Sequence, residues 1–133
     1  MVSPVLGRDL SVVENEVEVK TPDGMCDAFF VHPAKGSHPG VLVWPDSLGL
    51  RPVMRELGKR IAREGYAVLV PNCFYRTFKA PVFDDSFDFN NPAHRERYAK
   101  ASRPFLTPGA GERDAAAYVS FLDSQRQGNR KKK

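Results

Sequence analysis

Apolar and polar residues alternate along the first part of the chain. Over residues 11–20, valine and glutamate take turns with a period of nearly two, which predicts a half-exposed β-strand. The stretch Thr21-Pro22-Asp23-Gly24 is typical of a tight turn, and residues 25–32 are apolar enough to return as a second strand. The pattern therefore predicts an N-terminal β-hairpin.

The next apolar segments have a different character. Residues 40–44 are continuously apolar and rich in valine, which is typical of a strand covered on both faces. Helical spacing then begins at Pro52, whose missing amide is harmless in a first turn, and Gly65 predicts the end of that helix. Residues 66–70 are again continuously apolar and predict a second strand. This order predicts a parallel βαβ unit with a right-handed crossover.

The pattern loosens after residue 70. Residues 71–91 contain aromatic and acidic side chains that follow neither helical nor strand periodicity. We therefore predict a long irregular segment that runs over the surface. Residues 92–102 predict a short helix capped by Asn91. Residues 111–124 predict a firmer helix whose apolar face carries Ala115, Tyr118, Val119 and Leu122. The predicted fold class is α/β, with the hairpin followed by the βαβ unit and flanking helices.

Composition indicates an ordinary soluble domain. The chain has 133 residues, of which 41% are hydrophobic and 27% are charged, enough for one hydrophobic core. No apolar run approaches the roughly 20 residues that cross a bilayer. The N-terminus lacks the basic and apolar regions of a secretory signal. We therefore predict a cytoplasmic protein without a membrane partner.

The net positive charge lies at the C-terminus. Lysine and arginine number 20 against 16 acids, and Arg130 with the three lysines at 131–133 accounts for the difference. A nucleic-acid-binding protein usually carries such charge on a folded face. We predict a solvated basic tail over residues 128–133 and no nucleic-acid partner; a nucleic-acid or targeting role is the less favoured alternative.

The cysteines and histidines do not suggest a metal site. Cys26 and Cys73 are the only cysteines and form no CxxC pair, so we predict free, partly buried thiols. The three histidines have no ligand spacing with them. The oxygen-bearing side chains that alternate over residues 84–90 lack the glycine and glutamate of a calcium loop. No metal or other cofactor is predicted.

Several segments together resemble the dienelactone hydrolase family of the α/β-hydrolase superfamily. They are the turn at residues 22–24, the strand and loop GVLVWPDSLGL, the helix RPVMRELGKRIAREGY, the strand AVLVPNCFYR and the helix GERDAAAYVSFLDSQ. Their order and spacing carry the resemblance over nearly the whole chain. It implies a carboxylic ester or lactone hydrolase with a Cys/Ser-His-Asp triad and a small-molecule substrate.

The nucleophile turn of that family, G-x-C/S-x-G, is absent. The string Gly-Ser-His-Pro-Gly at residues 36–40 has the wrong spacing, and Cys73 has no flanking glycines. The resemblance therefore implies a single partial domain over residues 1–133, truncated before the triad and expected to be inactive alone. The alternative is a non-catalytic half-domain. In either case residues 40–44 would form an open sheet edge, and we predict a marginally stable chain that self-associates or pairs with a complementing chain.

The resemblance also assigns roles to the loop after residues 40–44. The family places an acidic residue there to pair with the resting nucleophile, and Asp46 stands where dienelactone hydrolases have glutamate. Ser47 would offer a backbone N–H to the oxyanion hole. An equally weighted alternative is that Asp46 satisfies amides of its own loop. The family's arginine for a substrate carboxylate has weak candidates in Arg95 and Arg97, with Arg76 also near.

Overall fold

The computed structural model describes residues 10–125 and 128–129 of the chain. Five strands and three helices follow one another as β1 (Val12–Thr21), β2 (Gly24–Pro33), β3 (His38–Leu42), α1 (Pro52–Arg63), β4 (Ala67–Pro71), α2 (Pro92–Phe105), α3 (Ala110–Ser124) and β5 (Gly128–Asn129). None of these described helices is long and apolar enough to cross a bilayer. Apart from the backbone of residues 128–129, the predicted basic tail lies outside the described residues.

The strands form a mixed sheet in the order β1-β2-β4-β3-β5. The hairpin of β1 and β2 is antiparallel and closes at the Thr21–Gly24 pair, as predicted. β3 and β4 are parallel, with α1 between them in the chain, which confirms the predicted parallel pair. β4 also pairs antiparallel with β2. The predicted α/β class is thus confirmed.

Side chains alternate between the two faces of the sheet, and each face is covered by a helix. On β2, Phe29 and Val31 belong to a buried cluster with Met54 of α1. Their neighbours Ala28 and Phe30 belong to a second cluster with Tyr118 and Leu122 of α3. This division follows from the two-residue period of a strand. The sheet is therefore the middle layer of three.

The segment between β4 and α2 is more buried than its sequence predicts. Phe74, Val82 and Phe83 are buried together with Ala101 of α2. The predicted surface excursion is wrong here, because the aromatic side chains fill the space beneath α2 without needing a regular period. The cap of α2 is confirmed, since the Asn91 side chain accepts two amide hydrogen bonds from the first turn.

The inward face of α3 also differs from the predicted one. Tyr118 and Leu122 are buried as predicted, but Val119 is 40% exposed. The fully buried Asp114 lies one turn before Tyr118 on the same face. The helix packs on the stripe that contains these residues, and an ion pair with the half-buried Arg76 permits an acid in that stripe.

One side of β3 is largely open. The fifth strand pairs only with His38 and Pro39, so within the described chain no strand lies beside residues 40–43 on that side. Trp44 is 42% exposed, and Val41 and Val43 are half-buried. Val41 and Val43 pack against the α1 face of the core and Leu42 against the α3 face, so both faces of this strand have cover, as predicted, while its edge beyond Pro39 is open within the described chain.

Candidate functional site

The loop after β3 turns around the side chain of Asp46. Its Oδ1 accepts the amide of Leu48 at 3.1 Å, and its carbonyl accepts the amide of Gly49 at 2.9 Å. Gly49 has a φ of 84°, a left-handed conformation that favours glycine. A Cβ at that position would lie 2.9 Å from the ring of Phe74. The Pro-Asp-Ser-Leu-Gly sequence therefore forms a compact and specific turn.

Arg51 fixes the Asp46 carboxylate in place. Both guanidinium Nη atoms donate to it, with an Nη2–Oδ2 distance of 3.0 Å, and Nη1 also donates to the Gly49 carbonyl at 3.1 Å. The hydrogen bonds from Arg51 lower the pKa of Asp46, so the carboxylate is ionised at neutral pH. Sequence reasoning did not identify Arg51; its signal was its position at the N-cap of α1, five residues after Asp46. Pairing of Asp46 with a nucleophile stays a prediction.

The amide of Ser47 is, like that of Asp46, an unused donor of this turn in the described part of the chain. Within the described residues it donates to no atom, whereas the amides of the next two residues donate to Asp46. Ser47 is exposed, so its amide can bond water in the free chain and exchange that water for a ligand oxygen. An unpaired N–H beside a cavity is the group that stabilises an oxyanion.

That cavity has a volume of about 360 Å³ and opens beside the turn. Its walls come from three segments: the end of β3 with its loop, the segment after β4, and the C-terminal end of α2. The lining is mainly aromatic and aliphatic, and its polar side chains are those of Asp46, Ser47, Cys73, Tyr98 and Ser102. This size and composition are typical of small-molecule sites.

Cys73 lines the cavity but is not poised as a nucleophile. Burial first, and then the proximity of Cys26 and of the Asp114 carboxylate, raise the pKa of its thiol to about 12. The reactive form of cysteine is the thiolate, which is scarce at neutral pH under these conditions. Burial likewise raises the pKa of Cys26 to about 12. Both thiols are free and buried, which confirms that prediction.

The reactivity of the two thiols can be tested directly. At mildly alkaline pH we expect iodoacetamide to alkylate both cysteines of the folded chain at least about a hundredfold more slowly than those of the urea-unfolded chain. Cys73 should react before the fully buried Cys26. Mass spectrometry of timed samples measures both rates. Alkylation of native Cys73 at the unfolded rate would contradict the geometry described above.

No histidine reaches the cavity within the described part of the chain. His32 and His38 each bond a backbone carbonyl nearby, and Nδ1 of His94 accepts the backbone amide of Asp88 at 2.9 Å. None of the three lines the cavity. The described residues therefore place no general base beside Ser47 or Cys73.

Arg95 and Arg97 lie apart from the cavity. Arg95 donates to the carbonyl of Phe89 at 2.9 Å. Arg97 donates to the carbonyl of Val82 at 3.0 Å, and its guanidinium lies 4.1 Å from the ring centroid of Phe78. The structure brings Asp46 and Ser47 together in one site but adds neither arginine to it. Carboxylate binding by either arginine stays a prediction.

Arg76 is held by two carboxylates. It donates to both oxygens of the buried Asp114, at 2.9 and 2.8 Å, and to Asp23 in the hairpin turn at 3.0 Å. Arg113 also donates to Asp23 at 2.9 Å. These bonds connect the hairpin turn, the segment after β4 and α3. Arg76 therefore has a structural role in the described fold.

Comparisons with known proteins agree with the family resemblance found in the sequence. The family model described as dienelactone hydrolase family matches residues 26–132. A structure named as a dienelactone hydrolase from Klebsiella pneumoniae subsp. pneumoniae superposes with a TM-score of 0.73 at 18% identity, over 92% of this chain and 48% of that one. No curated protein sequence matches significantly.

Two further solved structures share the fold. A dienelactone hydrolase-like promiscuous phosphotriesterase from metagenomic libraries gives a TM-score of 0.61 at 21% identity, over 92% of this chain and 47% of that one. A cold-adapted esterase from an Arctic intertidal metagenomic library gives 0.58 at 16% identity, over 91% and 49%. The chain thus spans about half the length of the solved structures that it matches.

Proposed function

This chain belongs to the dienelactone hydrolase family, as its segments indicated, and from that premise we propose that it forms the oxyanion-binding half of an ester- or lactone-hydrolysing pocket. The observation that carries the proposal is the unpaired amide of Ser47 beside an apolar cavity. The described residues of that cavity include no histidine and no activated thiol. The nucleophile and its base would therefore come from other residues.

The proposed role of Ser47 follows from the charge that forms during the reaction. A nucleophile attacks the carbonyl carbon, and the electron pair of the C=O double bond moves onto oxygen. The Ser47 N–H donates to that oxygen, a contact that contributes roughly 3–4 kcal/mol when it forms in the transition state. The bond to the leaving oxygen then breaks, and that oxygen takes a proton from the acid–base group.

Asp46 and Arg51 support this donor without touching the reacting atoms. The Asp46 carboxylate accepts from the Leu48 amide and from Arg51, and this contact holds the turn in the conformation that leaves the Ser47 amide unpaired. We propose that Asp46 acts through the loop, in a role that its short side chain and its ion pair with Arg51 both favour.

Activity measurements test the proposal. The chain alone is expected to show no hydrolysis of p-nitrophenyl acetate above the buffer rate. A fusion of this chain to the C-terminal half of a dienelactone hydrolase, which carries G-x-C/S-x-G, Asp and His, is expected to hydrolyse it. In that fusion Ser47→Pro removes the N–H and should lower kcat by about 100- to 1,000-fold.

Ser47→Ala is the matched control, because it removes the hydroxyl and keeps the amide. We expect its kcat to stay close to that of the parent fusion. A folded fusion without activity, or equal losses in Ser47→Pro and Ser47→Ala, would contradict the proposal. Turnover by the chain alone that disappears in Cys73→Ala would assign the nucleophile to Cys73 instead.

A second candidate function is favoured by the open side of β3. There, residues 40–43 have no neighbouring strand within the described chain, and such an edge can pair with a strand of another polypeptide. In this alternative the chain is a non-catalytic half-domain that binds a complementing chain or a second copy of itself.

A further inference from the structure

The cavity beside Ser47 is bounded by aromatic rings from three segments. Trp44 and Phe105 have ring centroids 6.2 Å apart and planes at 52°, and Phe74 and Tyr98 lie 6.4 Å apart at 68°. All four side chains line the cavity. Rings at such angles expose both their faces and their edges to the cavity. An aromatic ligand can therefore make stacked and edge-to-face contacts with them.

The charges of the lining disfavour an anionic guest. Asp46 contributes a negative charge at neutral pH, and the thiol of Cys73 stays neutral because burial raises its pKa to about 12. No lysine, arginine or histidine belongs to the lining within the described residues. A carboxylate that entered would lose its water, gain no cation and approach Asp46.

Arginines in the adjoining segments are already occupied. Arg51 donates to both oxygens of Asp46 and to a loop carbonyl. Arg76, three residues after Cys73, directs its donors to Asp114 and Asp23. Binding a ligand carboxylate through either arginine would require breaking an existing bidentate ion pair.

We infer that this cavity receives the uncharged aryl group of a neutral ester and discriminates against ligands that carry a carboxylate. The inference rests on the proposed function, because it names the substrate class of the same pocket. The Ser102 hydroxyl and the Cys73 thiol both belong to residues that line the cavity. They can bond a polar ring substituent or the ester oxygen, which a purely apolar wall could not do.

Fluorescence of the whole chain provides the test, because Trp44 is its single tryptophan and lines the cavity. The ligands are methyl phenylacetate and phenylacetate, which share a ring and differ in charge. We expect the ester to quench or shift Trp44 emission with at least about tenfold higher affinity than the acid. Equal affinity, or no response to either ligand, would overturn the inference.

A charge placed at the mouth of the cavity should change this preference. Leu106 lines the cavity and is 71% exposed, so its replacement does not disturb a core. Leu106→Arg is expected to raise affinity for phenylacetate at least about fivefold over Leu106→Gln, with little change for the ester. If the two variants bind phenylacetate equally, the absence of a cation does not set the preference and the inference is wrong.

The fusion described above separates this inference from the proposed function. An inactive fusion in which Trp44 still prefers the neutral ester would overturn the proposed function and support the binding preference. An active fusion that hydrolyses carboxylate-bearing lactones faster than neutral aryl esters would support the proposed function and overturn the binding preference. Each result therefore bears on one of the two statements.

Discussion

Replacing Asp114 with alanine is expected to lower the free energy of unfolding by about 3–5 kcal/mol, because the change takes from a largely shielded guanidinium the one fully buried carboxylate that it binds. Urea unfolding followed by circular dichroism measures this difference. For a domain of ordinary stability such a loss removes much of the total. A chain that is already unfolded without urea would also agree with the expectation.

The size of the effect follows from the surroundings of the pair. Asp114 is fully buried and the Arg76 side chain is 11% exposed, so solvent can replace little of the lost interaction. The hydroxyl of Tyr75 also donates to Asp114, at 2.8 Å. Burial and this carboxylate raise the pKa of Tyr75 to about 12. Removing the carboxylate therefore takes a partner from two largely shielded donors at once, leaving Arg76 with Asp23 alone and the Tyr75 hydroxyl with Thr21 alone.

Two further variants make the interpretation specific. Glu112→Ala changes an exposed acid on the same helix, and we expect it to alter stability by less than about 0.5 kcal/mol. The double variant Asp114→Leu with Arg76→Met removes both charges, and its loss should be well below that of Asp114→Ala. A loss of under about 1 kcal/mol in Asp114→Ala would show that the ion pair contributes little.

Local patterns predicted most of the fold. The hairpin, the parallel strands and α1 follow from periods of two and 3.6 residues and from glycine and proline at their ends. Asp114 escaped prediction because its partner Arg76 precedes it by 38 residues, and no local pattern links them. The buried aromatic residues of the segment after β4 escaped for a similar reason, since their burial depends on where α2 packs.

Only one loop of the site, the loop after β3, was predicted from the sequence. Asp46 and Ser47 were identified through the resemblance of their loop to that of the dienelactone hydrolase family, and both line the cavity. The opposite wall comes from α2, about fifty residues later in the chain. Its aromatic residues can be assigned to the cavity only once the packing is known. Arg51 was missed because helix-start residues are ordinarily interpreted as caps.

The two edges of the sheet differ in their protection against pairing. β1 carries Glu14, Glu16 and Glu18 along its length, and charges of this kind on an edge strand discourage pairing with another chain. β3 carries only apolar residues beyond His38, and within the described chain its open side has cover at just two positions. Any strand-to-strand association of the chain should therefore use β3.

We expect the isolated chain to associate with itself through β3 and Leu42→Pro to leave it monomeric. The Val43 amide donates to Leu69 of β4, and neighbouring residues of a strand direct their amides to opposite sides. The Leu42 amide therefore faces the open side. Proline removes that donor while sparing the bonds to β4. Sedimentation velocity over about a hundredfold range of concentration measures the association.

Leu42→Ala separates the lost amide from the lost side chain. Both substitutions remove a half-buried side chain that packs against the α3 face of the sheet, but alanine keeps the donor. If backbone pairing drives association, Leu42→Ala associates nearly as the parent chain does, whereas Leu42→Pro does not. If apolar contact alone drives it, the two variants behave alike. A parent chain that stays monodisperse and melts sharply at every concentration would show that two residues of β5 are sufficient cover for this edge.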